Sequence, residues 1–584
     1  MLHRSFLALG LAAVLAGLPA CQRQPATYTT AAGATALPAP RAAAPVTARQ
    51  AMVVSAHPEA TRIGLEVLRQ GGNAYDAAVA VQFALAVALP AAGNIGGGGF
   101  VVYRHADGSL GTLDFREKAP LAASRDMYLD AQGNVRPGLS TDGHLAAGVP
   151  GTVAGMVALH QKLGKLPWAQ LVAPSVELAT QGLRLTAKEA QGLNDTRADF
   201  LRLNKHVPVY AHPEGRPWQA GDVVKYPELS AALGRIRDQG RNGFYQGETA
   251  RLLLAEMQRG NGIIAQADLD QYQPAWRTPL RGRYRQYEVI SMPPPSSGGV
   301  ALLQMLQMLE PYNLGKLGWH SAAAVHLITE AERRAYADRA TYLGDPDFGR
   351  VPVAQLLDHK YLRTRTQGLS PTGPASSSAQ VQAGAALPPY ESDQTTHYSI
   401  VDAQGNAVSC TTTLNGRYGS KVVVQGAGFL LNNEMDDFSA KPGVPNMYGV
   451  IGGTANAIQP GKRMLSSMTP TIVTENDQLR MVVGTPGGST IITSVLQATL
   501  NVLDYGFDPQ QAVAAPRLHH QWLPDHIDVE EGALSPAART ELEHRGHKLN
   551  PRSPWGRIDM IERRKDGTLV GGADPRGDDT AAGY

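Results

Sequence analysis

The residues of this 584-residue chain best suited to chemistry gather in one stretch, 395–437. It opens Thr395-Thr396-His397-Tyr398-Ser399-Ile400-Val401-Asp402 and turns at Ala403-Gln404-Gly405-Asn406. It continues Ala407-Val408-Ser409-Cys410-Thr411-Thr412-Thr413-Leu414-Asn415. β-Branched and aromatic runs on either side of a Gly/Asn turn predict a hairpin. Side chains alternate faces along a strand, so Ser409, Thr411, Thr413 and Asn415 are expected to share one. The stretch closes on Asn432-Asn433-Glu434-Met435-Asp436-Asp437. So many hydroxyls, amides and carboxylates make a poor hydrophobic core. They suit a site instead, with hydroxyls for attack or hydrogen bonding and carboxylates for a cation.

Other elements must bring their groups to this hairpin. Phe100–Tyr103 and Gly111–Phe115 predict a second hairpin that delivers Arg116 just past a strand end. Thr471–Thr474 and Leu479–Val483 predict strands, followed by a turn at Gly487-Gly488 and a helix over 489–503. Helical spacing is clear at 59–70, 74–89, 167–181, 229–238, 248–258, 300–309 and 321–342. The glycine-rich loop 90–99 lacks the Lys-Ser/Thr of a phosphate loop and is expected to pack backbone closely under a strand. Asp345-Pro346-Asp347 is a turn former. Residues 367–393, rich in Ser, Pro, Gly and Ala, predict an exposed, mobile arm leading into Thr395.

The hairpin closely resembles that of the γ-glutamyltransferase family of N-terminal nucleophile hydrolases. The likeness runs from about Met52 to Tyr584. It includes Asp114-Phe115-Arg116-Glu117, Pro293-Pro294-Pro295-Ser296-Ser297-Gly298-Gly299, Leu465-Ser466-Ser467-Met468-Thr469-Pro470-Thr471, Pro486-Gly487-Gly488-Ser489 and Ala573-Asp574-Pro575-Arg576. Each motif alone is weak; together and in order they are specific. The resemblance implies an α/β (α+β) fold, a four-layer αββα sandwich. It implies self-cleavage between Gln394 and Thr395, giving a large subunit, 51–394, and a small one, 395–584, interleaved in one fold and associated as a heterodimer.

The implied chemistry is consistent with the residue types. A threonine hydroxyl needs a base, and at a chain start its own α-amine, with a pKa of about 7.7–8.0, can serve. Before cleavage that amine is locked in an amide, so cleavage is also activation. By resemblance Thr395 is the nucleophile, Thr413 hydrogen-bonds it, and the Gly487 and Gly488 N–H groups face the developing oxyanion. A γ-glutamyl group carries a free α-carboxylate and a free α-ammonium. Arg116 can grip the carboxylate bidentately, with Ser466 and Ser467 adding hydroxyls. Asn415, Glu434 and Asp437 supply acceptors for the ammonium; some family members carry Gln where Glu434 stands. Residues 442–453 resemble the family's lid loop, with Tyr448 at its tip. Cephalosporin acylases are among the members that lack that loop.

Composition fits an ordinary globular enzyme: 43% hydrophobic and 18% charged residues, with 53 basic side chains against 51 acidic. No long basic run points to nucleic acid. Two cysteines, Cys21 and Cys410, make no disulfide framework, and no spacing suits a metal; His519-His520 has no partner motif. No cofactor is expected. Residues 1–21 predict an export signal: His3 and Arg4, an apolar run from Phe6 to Leu18, then Leu18-Pro19-Ala20-Cys21. That ending resembles a bacterial lipobox, with Pro19 atypical. Lipidation of Cys21, ordinary signal-peptidase cleavage and a buried N-terminal helix all stay open, the first placing the protein in the periplasm on the outer membrane. Residues 22–50, rich in Ala, Pro and Thr, predict a tether.

The function implied is transfer of a γ-glutamyl group to water, amino acids or short peptides, with glutathione as donor. Two alternatives stand beside it. One is a related amidase acting on β-lactam side chains or poly-γ-glutamate. The other is a non-catalytic lipoprotein that captures γ-glutamyl peptides.

Overall fold

The computed structural model describes residues 35–384, 395–441, 444, 447 and 454–584. Two seven-stranded antiparallel sheets pack face to face. The first runs Thr580–Gly583, Met52–Ser55, Thr396–Val401, Ala407–Thr413, Gly98–Arg104, Leu110–Asp114, Ala275–Arg277. The second runs Val46–Ala48, Leu569–Ala573, Asp559–Arg563, Gln478–Gly484, Thr471–Glu475, Tyr287–Ser291, Leu280–Tyr284. In each sheet, strands from before and after residue 395 lie side by side. The length of the chain therefore does not translate into a row of domains.

Helices cover both outer faces, completing four layers. Helix Ala74–Ala88 is buried at all 15 positions, as its almost wholly apolar sequence predicts. It is clamped at its start: the Asn73 side chain accepts from the Tyr75 and Asp76 N–H groups, and Asp76 reaches back to Asn73. Asp402, in the turn of the central hairpin, accepts from the Ala74 N–H at 2.9 Å, tying that turn to the helix. Gly298–Leu309, Ala322–Tyr342 and Ser489–Leu503 form the opposite layer.

The inner faces of the central hairpin are polar where they meet the second sheet. Ser399 Oγ donates to the Asp559 carbonyl and Ser409 Oγ to the Val483 carbonyl, both at 3.1 Å. Satisfying these hydroxyls matters, since each left unpaired in the interior would cost about 1–3 kcal/mol. Alternate residues Tyr398, Ile400, Val408 and Cys410 join the apolar layer beneath the helices.

Several expectations need correction. Residues 22–50 are not a tether throughout. The Leu37 N–H donates to the Trp319 carbonyl and Val46–Ala48 is a strand on the edge of the second sheet. Composition missed this because backbone pairing needs no apolar run. The arm 367–393 is also pinned over part of its described length: Trp522 Nε1 donates to the Ser378 and Val381 carbonyls, and Ser378 meets Arg333 and Asp525. Helix Ala187–Leu203 has no strong apolar stripe and was not anticipated. A capping box between Thr186 and Glu189 starts it.

Candidate active site

The hairpin register fixes the centre of the site. Thr396 pairs with Thr412 in an antiparallel ladder, so one step further sets Thr395 opposite Thr413. Thr413 ends its strand alongside Gly98. The close approach there requires glycine: a Cβ on Gly97 would lie 2.0 Å from the Thr413 carbonyl oxygen. The loop 90–99 is thus a backbone cradle under the site, as its composition suggests. Beyond Thr413 the chain turns through Asn415 at φ 69°. Strand alternation therefore stops before Asn415, and its place in the site comes from that left-handed turn. The Asn415 N–H donates to Thr413 Oγ1 at 2.7 Å and its side-chain amide to the Asn433 carbonyl at 3.0 Å.

His397 is no base for Thr395. Its ring nitrogens are engaged by Thr411 Oγ1 at 2.9 Å and Ser399 Oγ at 3.1 Å, and burial pushes its pKa down to about 3.

A charged cluster adjoins the hydroxyls. Arg116 lies two residues past the end of strand Leu110–Asp114 and is 1% exposed. Its guanidinium pairs with both Glu434 and Asp437, and stands 3.6 Å from Glu117. It also donates to the Met464 and Leu465 carbonyls at 3.4 and 3.0 Å. Burial favours discharging the guanidinium, but Glu434, Asp437 and Glu117 outweigh it and hold the charge. Burial pushes Glu434 and Asp437 well above the usual carboxylate range, with Arg116 opposing. It pushes Glu117 up to about 8, again against Arg116. Three acids thus face one guanidinium, with burial favouring their protonated forms and Arg116 their ionised ones. Asn432 sets the backbone of the acidic turn, its Oδ1 accepting from the Gly148 and Glu434 N–H groups.

Ser466 and Ser467 are held by the Pro293–Gly299 segment. The Ser466 N–H donates to the Pro295 carbonyl at 2.9 Å, and the Ser297 N–H and hydroxyl both donate to the Ser466 carbonyl at 2.7 Å. Buried Arg339 donates to Ser467 Oγ at 3.0 Å. Gly487 and Gly488 lead into helix Ser489–Leu503, whose N-terminal dipole favours negative charge. Gly488 sits at φ 57°, ψ −124°, a conformation only glycine adopts readily.

Thr395 stands at the junction of two cavities. One retains only about 10 Å³ and is bounded by Arg116, Thr413, Asn415, Glu434, Asp437, Ser466, Ser467 and Gly488. The other is a cleft of about 600 Å³ with Gly487, Tyr418 and Trp555 in its walls. Every described residue expected at the site from sequence lines one of the two. Gln394, Tyr448 and Cys21 lie outside the described residues. Sequence reasoning missed the roles of Glu117, Arg339 and Asn432. Glu117 was legible as the residue after Arg116 in a quoted motif; Arg339, inside a long helix, carried no signal. His519 and His520 are buried and bonded to Thr493, Gln521 and Asp525. The structure does bring His547 to His326 and Glu330, which lie one turn apart on helix Ala322–Tyr342. There the Glu330 carboxylate is taken by Arg334 and the Ser376 N–H.

An αββα sandwich with a threonine heading a central strand, beside a glycine turn at a helix N-terminus, is the architecture of an N-terminal nucleophile hydrolase. Comparison narrows this: residues 60–584 match the family described as Gamma-glutamyltranspeptidase, and the chain belongs to that family. It is 50% identical over 518 residues to a glutathione hydrolase proenzyme of Pseudomonas sp. (strain A14), covering 89% of this chain and 90% of that one. Identity to the glutathione hydrolase proenzyme of Escherichia coli (strain K12) is 46% over 541 residues, covering 92% and 93%. A solved cephalosporin acylase from Bacillus halodurans superposes with a TM-score of 0.82 at 27% identity, covering 96% of this chain and 99% of that chain.

Proposed function

We propose that the protein is a self-processing γ-glutamyltransferase and glutathione hydrolase. The observation that carries this reading is the arrangement around Thr395. A buried cluster of one guanidinium and three carboxyls lies on one side, and an open cleft on the other. The cluster suits a zwitterion. A γ-glutamyl α-carboxylate would take Arg116 from the acids while its α-ammonium takes the acids from Arg116. Entry thus exchanges one set of buried ion pairs for another, so neither ligand charge is left desolvated and unpaired. The scissile amide then reaches Thr395, and the remainder of the donor lies in the cleft.

In maturation the Thr395 hydroxyl attacks the Gln394 carbonyl, the peptide C–N bond breaks, and the freed α-amine becomes the base. The resulting ester is hydrolysed. In turnover the same hydroxyl attacks the γ-carbonyl, and its proton passes through the α-amine to the departing amine. Water or an amino acid or peptide amine then takes the acyl group from Thr395. Gly487 and Gly488 N–H groups stabilise the oxyanion in both directions. Residues 51–394 and 395–584 stay together as a heterodimer because strands of both pair side by side within each sheet. We also read residues 1–21 as an export signal, with lipidation of Cys21 anchoring the protein at the periplasmic face of the outer membrane. Among the described residues no helix is long and apolar enough to cross a membrane.

Mature protein is expected as two pieces, the smaller about a third of the chain and beginning at Thr395. Thr395→Ala is expected to remain one piece without activity. N-terminal sequencing of the smaller piece decides the matter. Turnover of a γ-glutamyl anilide by Thr395→Ala would overturn the assignment. The likeness to a cephalosporin acylase supports a second reading, an acylase for bulkier donors. Competition between glutathione and a glutaryl β-lactam separates the two.

A further inference from the structure

We propose that Arg417 sets specificity for the other half of the reaction: it receives the free carboxylate of the departing peptide and of the peptide or amino acid that accepts the acyl group. The inference rests on the γ-glutamyl reading above and extends it to the cleft.

Thr395 lines both cavities, so an acyl group on it faces the charged cluster, and whatever leaves or attacks does so from the 600 Å³ cleft. The cleft wall is rich in cations, yet most are already committed. Lys188 donates to the Arg576 and Gly577 carbonyls. Arg552 pairs with Asp528, Arg557 with Asp579, and Arg576 with Glu530 and Asp574. Arg417 differs. It is exposed, and among the described residues it makes no ion pair; its guanidinium stands 5.6 Å from the Tyr418 ring centroid. An exposed arginine is ordinary by itself. Three further observations make this one a built feature.

First, the backbone is turned to present it. Asn415, Tyr418 and Gly419 all lie at positive φ, 69°, 62° and 55°. These left-handed residues carry the chain away from the strand end at Thr413, and two of them are not glycine, a pattern found where local strain serves a site. Second, the side chain is seated. A Cβ on Gly192 would lie 1.9 Å from Arg417 Nη2, so the guanidinium rests against the backbone of helix Ala187–Leu203. Third, its position follows the site in sequence: Asn415 belongs to the charged compartment, and Arg417, two residues on, lines the cleft.

The reaction supplies a matching ligand. A γ-glutamyl peptide releases an amine whose chain ends in a carboxylate, and a peptide acceptor presents the same pair of groups. A planar guanidinium binds a carboxylate through two parallel hydrogen bonds, which a lysine ammonium cannot reproduce. Tyr418 and Trp555 give the cleft aromatic surface for the intervening side chain.

The test uses matured wild type, Arg417→Gln and Arg417→Lys. Donors are glutathione and γ-glutamyl-p-nitroanilide, whose leaving group has no carboxylate. Acceptors are glycylglycine and glycylglycinamide. In Arg417→Gln the ratio of kcat/KM for glutathione to that for the anilide is expected to fall about tenfold, the loss of one charge-assisted contact. Preference for glycylglycine over its amide should fall with it, and Arg417→Lys should lie between. If Arg417→Gln does not mature, Gly192→Ala, which displaces the guanidinium, gives the same comparison. An active variant whose two ratios match wild type overturns the role of Arg417. A wild type that turns over neither donor overturns the γ-glutamyl reading itself.

Discussion

Arg116→Lys separates substrate binding from self-cleavage. The wild-type guanidinium reaches Glu434 and Asp437 with separate nitrogens and also donates to the Met464 and Leu465 carbonyls. A lysine ammonium keeps the charge but is a single point with three donors. It cannot span both carboxylates and both carbonyls. In the unliganded cluster the loss is moderated, because burial pushes these acids toward the protonated form that needs no cation, against the opposing pull of Arg116. In the donor complex it is not moderated, since the α-carboxylate of a glutamyl group stays ionised. Losing one of two charge-assisted hydrogen bonds is worth about 1.5–3 kcal/mol. That corresponds to a drop in kcat/KM of about tenfold to about 150-fold. Self-cleavage involves no glutamyl carboxylate, so its rate should change much less, through any shift of Leu465 and the adjoining serines. The assay is two measurements on one preparation: appearance of the smaller piece on a denaturing gel, and steady-state hydrolysis of a γ-glutamyl anilide. Equal loss of both would refute the reasoning and make Arg116 a structural residue.

Gly488→Ala should impair both reactions, because a side chain at φ 57°, ψ −124° is strained and moves the N–H proposed to face the oxyanion; an expected loss in kcat is about 10²–10³-fold, read in single-turnover acylation. Glu117→Gln bears on pH. Glu117 is raised from 4.5 to about 8 by burial, so the folded state holds a proton that the unfolded chain releases, and stability falls as pH rises from about 5 to about 8. The variant should show a shallower decline in melting temperature across that window, and an unchanged slope would assign the titration elsewhere. Removing residues 442–453, which contain Tyr448, should raise kcat/KM for a glutaryl β-lactam relative to a small γ-glutamyl donor while Thr395 still matures. An unchanged ratio would leave that loop no part in donor selection.

Much of this protein was legible in its sequence for a local reason. The hairpin around Gly405, the helices 74–88 and 489–503, and the strand that delivers Arg116 all follow from apolar periodicity and turn residues, which act over a few positions. The grouping of Thr395, Thr413, Arg116, Glu434 and Asp437 was readable as well, through motifs whose order the family resemblance supplied. Helix Ala187–Leu203 and the strand Val46–Ala48 were not. Their formation depends on a cap and on edge pairing more than on a pattern of apolar residues.

Tertiary structure alone decided the electrostatics and the layout of the site. Sequence places Arg116 and Glu434 318 residues apart; only the folded chain makes them a buried pair, and only there do burial and neighbouring carboxylates raise Glu434 and Asp437. Nor could composition reveal that Pro293–Gly299 exists to hold Ser466, that Arg339 reaches Ser467, or that Thr395 divides a filled compartment from an open cleft. Residue type and short-range spacing record what a side chain can do. Desolvation and the pairing of charges depend on which atoms exclude water, and that is set by contacts between segments hundreds of residues apart.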